Sequence, residues 1–537
     1  MENLIKGEKD ISQHFNIVAK LIDETVEKGF GDKTLVYYKD KELTYKEMQS
    51  MINRVGNALH LLGVHEEEKV MLVMQDSPEA MASFYGSLKI GAVPILVNYT
   101  HAGGDFCHVL NDSRANTIIA SEDFTDGIDE CRGEMPFLKN VIIVGKQTKS
   151  NYLSFQDIIN GCSDHLQIAN TSGNSKEAEI WNYTSGITGI PKATVHLQHD
   201  VFSNLENYAR GILNISQNDI LFSASKFFFA YGLGNSFIYP PSVGASVVLI
   251  SDKPSPSTIL STIDRYKPTI FFGVPKFYAD MLAIKDAEKK FDTSSLRLCV
   301  STIETLPENI FYEWKERFGL EILHGIGADE LIHIFISNRP GDIKPGSAGK
   351  IVPGYAAKIA DDDGNEIPDG EVGNLHVKKE SMNAYHNGQS DKNMPSVLGE
   401  WFNTGDWYYR DAEGCFYRYG VSDNMLNVGS MWMSPIEIES TLVSHPAVLE
   451  VAVVAKEDEK GQAKPKAFIV LKNGYEPSEQ LAKQIQNYAR KRIASYKYPQ
   501  WIEFTKELPK TETGKIQRNK LRNGLGEKKK MHAKQGV

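Results

Sequence analysis

No stretch of this chain approaches the ~18 consecutive apolar residues that a membrane helix needs, so no membrane span is expected. Positive charge is not in excess either: 59 Lys and Arg stand against 69 Asp and Glu, a net charge of −10. That balance argues against nucleic acid as the main partner. It leaves a polyanionic small ligand open, because such a ligand is met by local donors and not by global charge. Cysteine is scarce, scattered and odd in number (Cys107, Cys131, Cys162, Cys299, Cys415), and no CxxC occurs. Neither a zinc site nor a disulfide framework is therefore expected. Reduced, buried thiols and a cytoplasmic location fit that pattern. The first residues, MENLIKGEKDISQHFNIVAK, contain no apolar h-region, so no signal peptide is expected. The basic tail GEKKKMHAKQGV reads as a solvated end. Internal repeats and low-complexity segments are absent, as is the common phosphate loop GxxxxGK followed by Ser or Thr.

A different loop is present. YTSGITGIPKA (residues 183–193) is a run of hydroxyls and glycines closed by a lysine. Glycines let backbone amides crowd an anion without Cβ interference, and successive amides form a nest for phosphate oxygens. Thr184, Ser185 and Thr188 add hydroxyl donors and Lys192 a point charge. This is a candidate polyphosphate cradle.

With 537 residues, two or three structural units are expected. Apolar content of 41% and charged content of 24% are those of a globular chain. KVMLVMQ (69–75), AVPILVN (92–98), NTIIAS (116–121) and NVIIVG (140–145) read as buried strands. PEAMASFYGSLKIG (78–91) reads as an amphipathic helix ending at a glycine. ASVVLI (245–250), TIFFGV (269–274) and LRLCVST (296–302) continue an alternation that implies parallel sheets covered by helices. After about residue 340, turn signals (DDDG, PDGE) between short alternating segments predict a smaller β-rich unit. From about residue 420, helices (SPIEIESTLVSH, EQLAKQIQNYARKRIAS) mix with strands (LEVAVVAK, PKAFIVLK).

Four further segments carry candidate chemistry. HGIGADE (324–330) ends in two carboxylates, a reasonable place for Mg2+ beside a phosphate loop. WFNTGDW (401–407) puts Asp406 in an expected glycine turn, where it could accept two sugar hydroxyls. FFFAYGLGN (227–235) is an aromatic run broken by glycines, suited to the wall of an apolar pocket. KTETGKIQR (510–518) offers Lys515 on a glycine-containing loop.

The order of these segments, from TYKEM (44–48) to KIQRNKL (515–521), resembles the ANL superfamily of adenylate-forming enzymes. Within it, SKFFFAYGLGNSFIYPPSVGASVVL and HGIGADELIHIFISN look most like the benzoate-CoA ligase group. The resemblance implies an α/β fold. Its large N-terminal domain (1–419) would hold two mixed or parallel sheets with helices plus a small β-rich subdomain. A small, mobile α+β domain (420–537) would act as a lid. It further implies two half-reactions. A small aromatic carboxylate attacks the α-phosphate of ATP, giving acyl-AMP and pyrophosphate, and a thiol then displaces AMP. CoA is the implied acceptor, with a carrier-protein phosphopantetheine or an amine as alternatives, and ligand binding without catalysis as another. A monomer or homodimer is expected.

By the same resemblance, Thr184, Ser185, Gly186, Thr188, Gly189 and Lys192 would hold the β- and γ-phosphates. Glu330 would bind Mg2+, and Asp406 would accept the ribose hydroxyls. Glu304 and Thr305, with Gly325, Ile326, Gly327, Ala328 and Asp329, would flank the adenine and phosphates. Ala230, Tyr231, Gly232, Ile303, Gly327, His333 and Ile334 would border the acid pocket. Lys515 would bridge the acid and the α-phosphate, and Asp423 would be the hinge. Several positions depart from the family pattern. Val421 stands where an arginine is usual, Asn424 for Asp, Asn427 for Lys, Ser430 for Gly and Asp329 for Thr. Ile303 stands for Gly, Ile187 for Ser or Thr, and Ala193 for Gly. The missing arginine predicts one lost charge-assisted contact, Asp329 predicts repulsion of phosphate, and Ile303 a narrowed pocket.

Overall fold

In the computed structural model the described residues are 16–99, 103–146, 149, 151–167, 179–185, 191–198, 201, 204–361, 363–379, 385–386, 397–398, 400–421, 426–428, 431–433, 435–458, 463–493, 497–510, 516–518 and 520–522. The buried runs predicted as strands form two large sheets. The first has eight strands, in the order Tyr385–His386, Pro191–Leu197, Glu179–Ser185, Val93–Leu96, Lys69–Val73, Thr117–Ser121, Asn140–Val144, Leu153–Ser154. Its central pairs are parallel, which explains why they read as continuous apolar segments and not as alternating ones. The helix Pro78–Lys89 crosses between two of them. Ser77 caps its first turn by accepting from the Ala80 N–H, Pro78 occupies the first helical position, and Gly91 (φ +79°) lies just beyond its end.

The second sheet has nine strands. Ile220–Ser223, Ile270–Gly273, Leu298–Ser301 and Ile322–Gly327 lie side by side and parallel, and Ile334–Ser337 then turns back antiparallel. One hydrophobic core spans both sheets, with Val70, Leu72 and Leu96 from the first and Phe272, Val300 and Leu323 from the second. The helix Tyr45–Leu61 enters this core behind a capping box, in which Thr44 accepts from the Glu47 N–H and the Glu47 carboxylate accepts from the Thr44 N–H. The TYKEM segment is therefore a helix start.

The predicted β-rich unit is a five-stranded sheet built from Tyr355–Ala360, Gly373–Lys379, Trp401–Arg410, Val397–Leu398 and Phe416–Val421. One reading changes here. WFNTGDW is part of the ten-residue strand Trp401–Arg410, and not a glycine turn. Gly405, at φ +73°, makes a bulge in that strand: Asn403 and Trp407 pair with His376 and Asn374, leaving Thr404, Gly405 and Asp406 opposite Leu375 alone.

The C-terminal part has its own core around Leu426, Ile438, Val451, Ala467 and Ile485. Its strands Val448–Glu457, Ala463–Leu471 and Trp501–Phe504 carry the helices Pro435–Val443 and Glu479–Arg490. It meets the large part through Glu450, which pairs with Lys276 at 3.6 Å and with Lys510.

A second reading also changes. Cys107 and Cys131 are joined as a disulfide, with their Cα atoms 5.5 Å apart. They lie on the helices Gly103–Ser113 and Thr125–Cys131, which pack together. A separation of 24 residues carries no local signal for such a pairing. The other three cysteines are free thiols.

Candidate active site

The acid pocket predicted from FFFAYGLGN is walled by packing. Lys226, immediately before the run, is buried, and its ammonium donates to the carbonyls of Ile250 (2.6 Å) and Asp252 (3.0 Å). Burial pushes its pKa down, against the attraction of Asp76 and Asp252. Burial drives the Asp76 carboxyl up to about 6, with Lys226 opposing. Asp76 also accepts from the Phe227 N–H at 3.4 Å. The aromatic run is thus tied at its root to two strand ends. Gly232 is obligatory in the turn that follows, because a Cβ there would lie 2.0 Å from the Lys226 carbonyl oxygen.

His333 closes the wall. Its ring lies 5.6, 5.3 and 4.9 Å from the rings of Tyr208, Tyr231 and Tyr239. Burial pulls its pKa down to about 3, so the imidazole is neutral. Neither ring nitrogen makes a well-formed hydrogen bond among the described residues. Gly327 pairs with Ile334 across the strand turn, and a Cβ on Gly327 would meet the His333 carbonyl oxygen at 2.7 Å. Of the predicted pocket residues, Tyr231, Gly327, His333 and Ile334 therefore converge, with Ala230 and Gly232 on the same short helix as Tyr231. The Tyr231 hydroxyl reaches the end of the neighbouring strand, 3.5 Å from the Val300 carbonyl oxygen.

The nucleotide-facing side is built from charge. Asp406 accepts from the Arg418 guanidinium at 2.9 Å, and the same guanidinium donates to the Ile303 carbonyl at 3.3 Å. Val421 is the cross-strand partner of Asp406, and Arg418, three residues earlier, supplies a cation to that carboxylate. Sequence reasoning missed Arg418 because the strand bulge decides which side chain meets Asp406. Tyr208, Tyr239, Asp76 and Lys226 were missed as well, and only the adjacency of Lys226 to the aromatic run hints at its role.

Glu304 is half-buried, and burial raises its pKa against the opposing Arg518 and Arg418 and a hydrogen bond from the Ile516 backbone. Ile516 follows Lys515 in the chain, so the C-terminal part reaches this carboxylate in the present arrangement. Burial also raises Glu330, at the short turn Asp329–Leu331. His324 is buried and its pKa falls to about 4, chiefly by desolvation and next by Arg418. Position 303 explains why the resembling family favours glycine there: Ile303 adopts φ +79°. For a β-branched residue that conformation costs about 1–3 kcal/mol.

The strands that flank the candidate phosphate loop pair with each other. Thr184 pairs with Lys192 and Ser185 with Pro191 across antiparallel strands. Gly186, Ile187, Thr188 and Gly189 lie outside the described residues, as do Asp423, Asn424, Ser430 and Lys515. The Tyr183 hydroxyl donates to Asp112 on the helix Gly103–Ser113, which anchors the first of these strands.

A nucleotide and a divalent cation can be tested against these groups. Thr302 Oγ1 and Thr305 Oγ1 are buried without hydrogen-bond partners among the described residues, which fits a polar ligand at this face. No cluster of three potential metal ligands occurs among the described residues. A single carboxylate such as Glu330 suits Mg2+, which keeps water and substrate phosphate oxygens in its shell and needs no protein cage. No helix among the described residues is long and apolar enough to cross a membrane.

Two domain models match the chain: AMP-binding enzyme over residues 23–385, and AMP-binding enzyme C-terminal domain over 437–515. A benzoate–CoA ligase of Thauera aromatica is 40% identical, across 96% of this chain and 97% of the relative. A 4-hydroxybenzoate–CoA/benzoate–CoA ligase of Rhodopseudomonas palustris is 35% identical, across 95% and 94%. Among solved structures, an anthranilate CoA ligase in complex with anthranoyl-AMP superposes with a TM-score of 0.92 at 42% identity, covering 96% of this chain and 98% of that one. The chain belongs to the AMP-binding family of adenylate-forming enzymes. It is an acid–thiol ligase that uses ATP and CoA.

Proposed function

We propose that this enzyme activates a small aromatic carboxylate of the benzoate class as its acyl-AMP, with release of pyrophosphate, and passes the acyl group to the thiol of CoA. The carrying observation is the aromatic wall around His333, joined to the charged face around Asp406 and Arg418 by residues 300–303, where the Val300 carbonyl accepts from Tyr231 and the Ile303 carbonyl from Arg418. The relatives named as benzoate, hydroxybenzoate and anthranilate ligases support that substrate class.

In this reading the wall residues Ala230, Tyr231, Gly232, Gly327, His333 and Ile334 orient the ring and exclude water. The carboxylate is left facing the α-phosphate, so positioning and charge stabilisation do the catalytic work. Asp406, oriented by Arg418, accepts the ribose hydroxyls. Glu304, Thr305, Gly325, Ile326, Ala328 and Asp329 border the nucleotide. Thr184, Ser185, Gly186, Thr188, Gly189 and Lys192 hold the outer phosphates, and Lys515 bridges the acid and the α-phosphate. Glu330 would hold Mg2+, which would neutralise the phosphates and the leaving pyrophosphate. Residues 1–419 form the adenylating domain and 420–537 a lid turning about Asp423. We place the reaction in the cytoplasm, where ATP and CoA are drawn from soluble pools.

Exchange of labelled pyrophosphate into ATP, stimulated by benzoate or a hydroxy- or aminobenzoate, tests the first half-reaction. The absence of exchange with every acid in such a panel would refute it. AMP release that depends on CoA tests the second, and release with a carrier protein or an amine in place of CoA would reassign the acceptor.

A further inference from the structure

The chain on either side of residues 511–515, which include Lys515, is tied together. Lys510 forms an isolated antiparallel bridge with Ile516, and the Gln517 N–H donates to the Pro509 carbonyl at 2.8 Å. Leu508 and Ile516 belong to one small core of the C-terminal part, with Val454 and Phe468. From this base two contacts cross to the large part. The Ile516 backbone meets Glu304. The Lys510 ammonium pairs with one oxygen of Glu450, whose other oxygen lies 3.6 Å from Lys276 on the helix Pro275–Leu282. Lys276, Glu450 and Lys510 keep only 31%, 20% and 17% of their side chains exposed, so salt screens these charges less than it would at an open surface.

The helix itself does not account for Lys276. It stands in the first turn, at the positive end of the helix dipole, where a cation is disfavoured. Its partner within the helix, Asp280, lies four residues later, the weaker order for such a pair. Burial lowers the pKa of its ammonium, but Asp280 and Glu450 more than offset that, and the net shift is upward. The cation is thus sustained in an unfavourable place partly by a carboxylate from the other part of the molecule.

We infer that Lys276 is a positioning residue for adenylation, which acts through Glu450 and Lys510 to fix the base of the Lys515 segment against the large part. The inference rests on the acid-activating reading above, in which Lys515 serves the first half-reaction.

Two rates measured on the whole enzyme test it: benzoate-dependent exchange of labelled pyrophosphate into ATP, and CoA thioester formation from synthetic benzoyl-AMP. Lys276→Ala should lower kcat for exchange about fivefold, the scale of one ion pair. KM for ATP and for the acid should stay near the parent values. Thioester formation from benzoyl-AMP should keep the parent rate, since that step does not draw on the Lys515 bridge. Lys276→Arg should restore exchange, because it keeps the cation. Glu450→Gln should show the same split between half-reactions, and the double variant Lys276→Ala/Glu450→Gln should lose no more than the worse single one. Added salt should narrow the gap between the parent and Lys276→Ala. Equal losses in both half-reactions, or exchange unmoved by Lys276→Ala, overturn the role of Lys276 while the acid-activating reading stands. If the parent enzyme shows no exchange with benzoate or any related acid, that reading and this inference fall together.

Discussion

Around His333, three tyrosine rings flank a neutral imidazole. Around Asp406, Arg418 is shared between a carboxylate and a backbone carbonyl, and Arg518 and Arg418 both oppose the rise that burial imposes on Glu304. The two regions meet at the ends of the same parallel strands yet are held by different forces. The first is set by close packing, so its geometry comes with the core and should resist salt. The second is set by ion pairs and by a backbone contact from Ile516 of the C-terminal part, so it should weaken as salt rises.

Charge and packing should respond differently to substitution. The largest effect is expected at Lys515. Lys515→Ala should lower pyrophosphate exchange by about a hundredfold or more, the scale seen when a transition-state charge contact is removed. Its melting temperature should barely move, since a lysine buries little apolar surface. An active Lys515→Ala enzyme would break the proposed role of the charged face. Arg418→Ala leaves the Asp406 carboxylate without its cation in a largely buried place. It should cost roughly 3 kcal/mol in denaturant unfolding and raise KM for ATP. Arg418→Lys should recover little, because an ammonium cannot make the forked contact to Asp406 and the Ile303 carbonyl. His333→Ala should cost about 2 kcal/mol through the cavity it leaves, and raise KM for the acid without changing KM for ATP. A shift in KM for ATP of similar size would erase the distinction between the two regions.

The smallest expected effect is in pH. His324 and His333 keep pKa values of about 4 and about 3 in the fold, against 6.5 for the free side chain. Below pH 6.5 the unfolded chain binds protons that the folded one does not, so stability falls as pH drops from about 6.5 towards 4. Asp76, raised to about 6, acts in the opposite direction, since the folded chain holds its proton where the unfolded chain has lost it. Glu304 and Glu330, also raised by burial, act with Asp76, while His376 and His445, also lowered by burial, act with His324 and His333; four histidines against three carboxyls leave a net loss on acidification. Melting curves between pH 7 and 5 should show it, with a shallower slope in His324→Asn.

Much of this architecture is readable along the chain. KVMLVMQ, NTIIAS and TIFFGV are strands because parallel strands are covered on both faces and must be apolar throughout. The helix 78–89 is legible from Ser77, Pro78 and Gly91, which act through neighbouring residues. WFNTGDW misleads because a glycine marks a bulge as readily as a turn, and only the pairing with Gly373–Lys379 distinguishes them. The Cys107–Cys131 pair depends on how two helices pack.

The order of motifs, from YTSGITGIPKA through HGIGADE and WFNTGDW to KTETGKIQR, was enough to name the family and its chemistry. Adenylate formation needs particular residue types at particular places, and those are written locally. The meeting of Arg418 with Asp406, the tyrosine rings around His333 and the strained backbone of Ile303 arise only on folding. Each depends on strand register or on contacts between residues far apart in sequence, where a shift of one position exchanges one face of a sheet for the other.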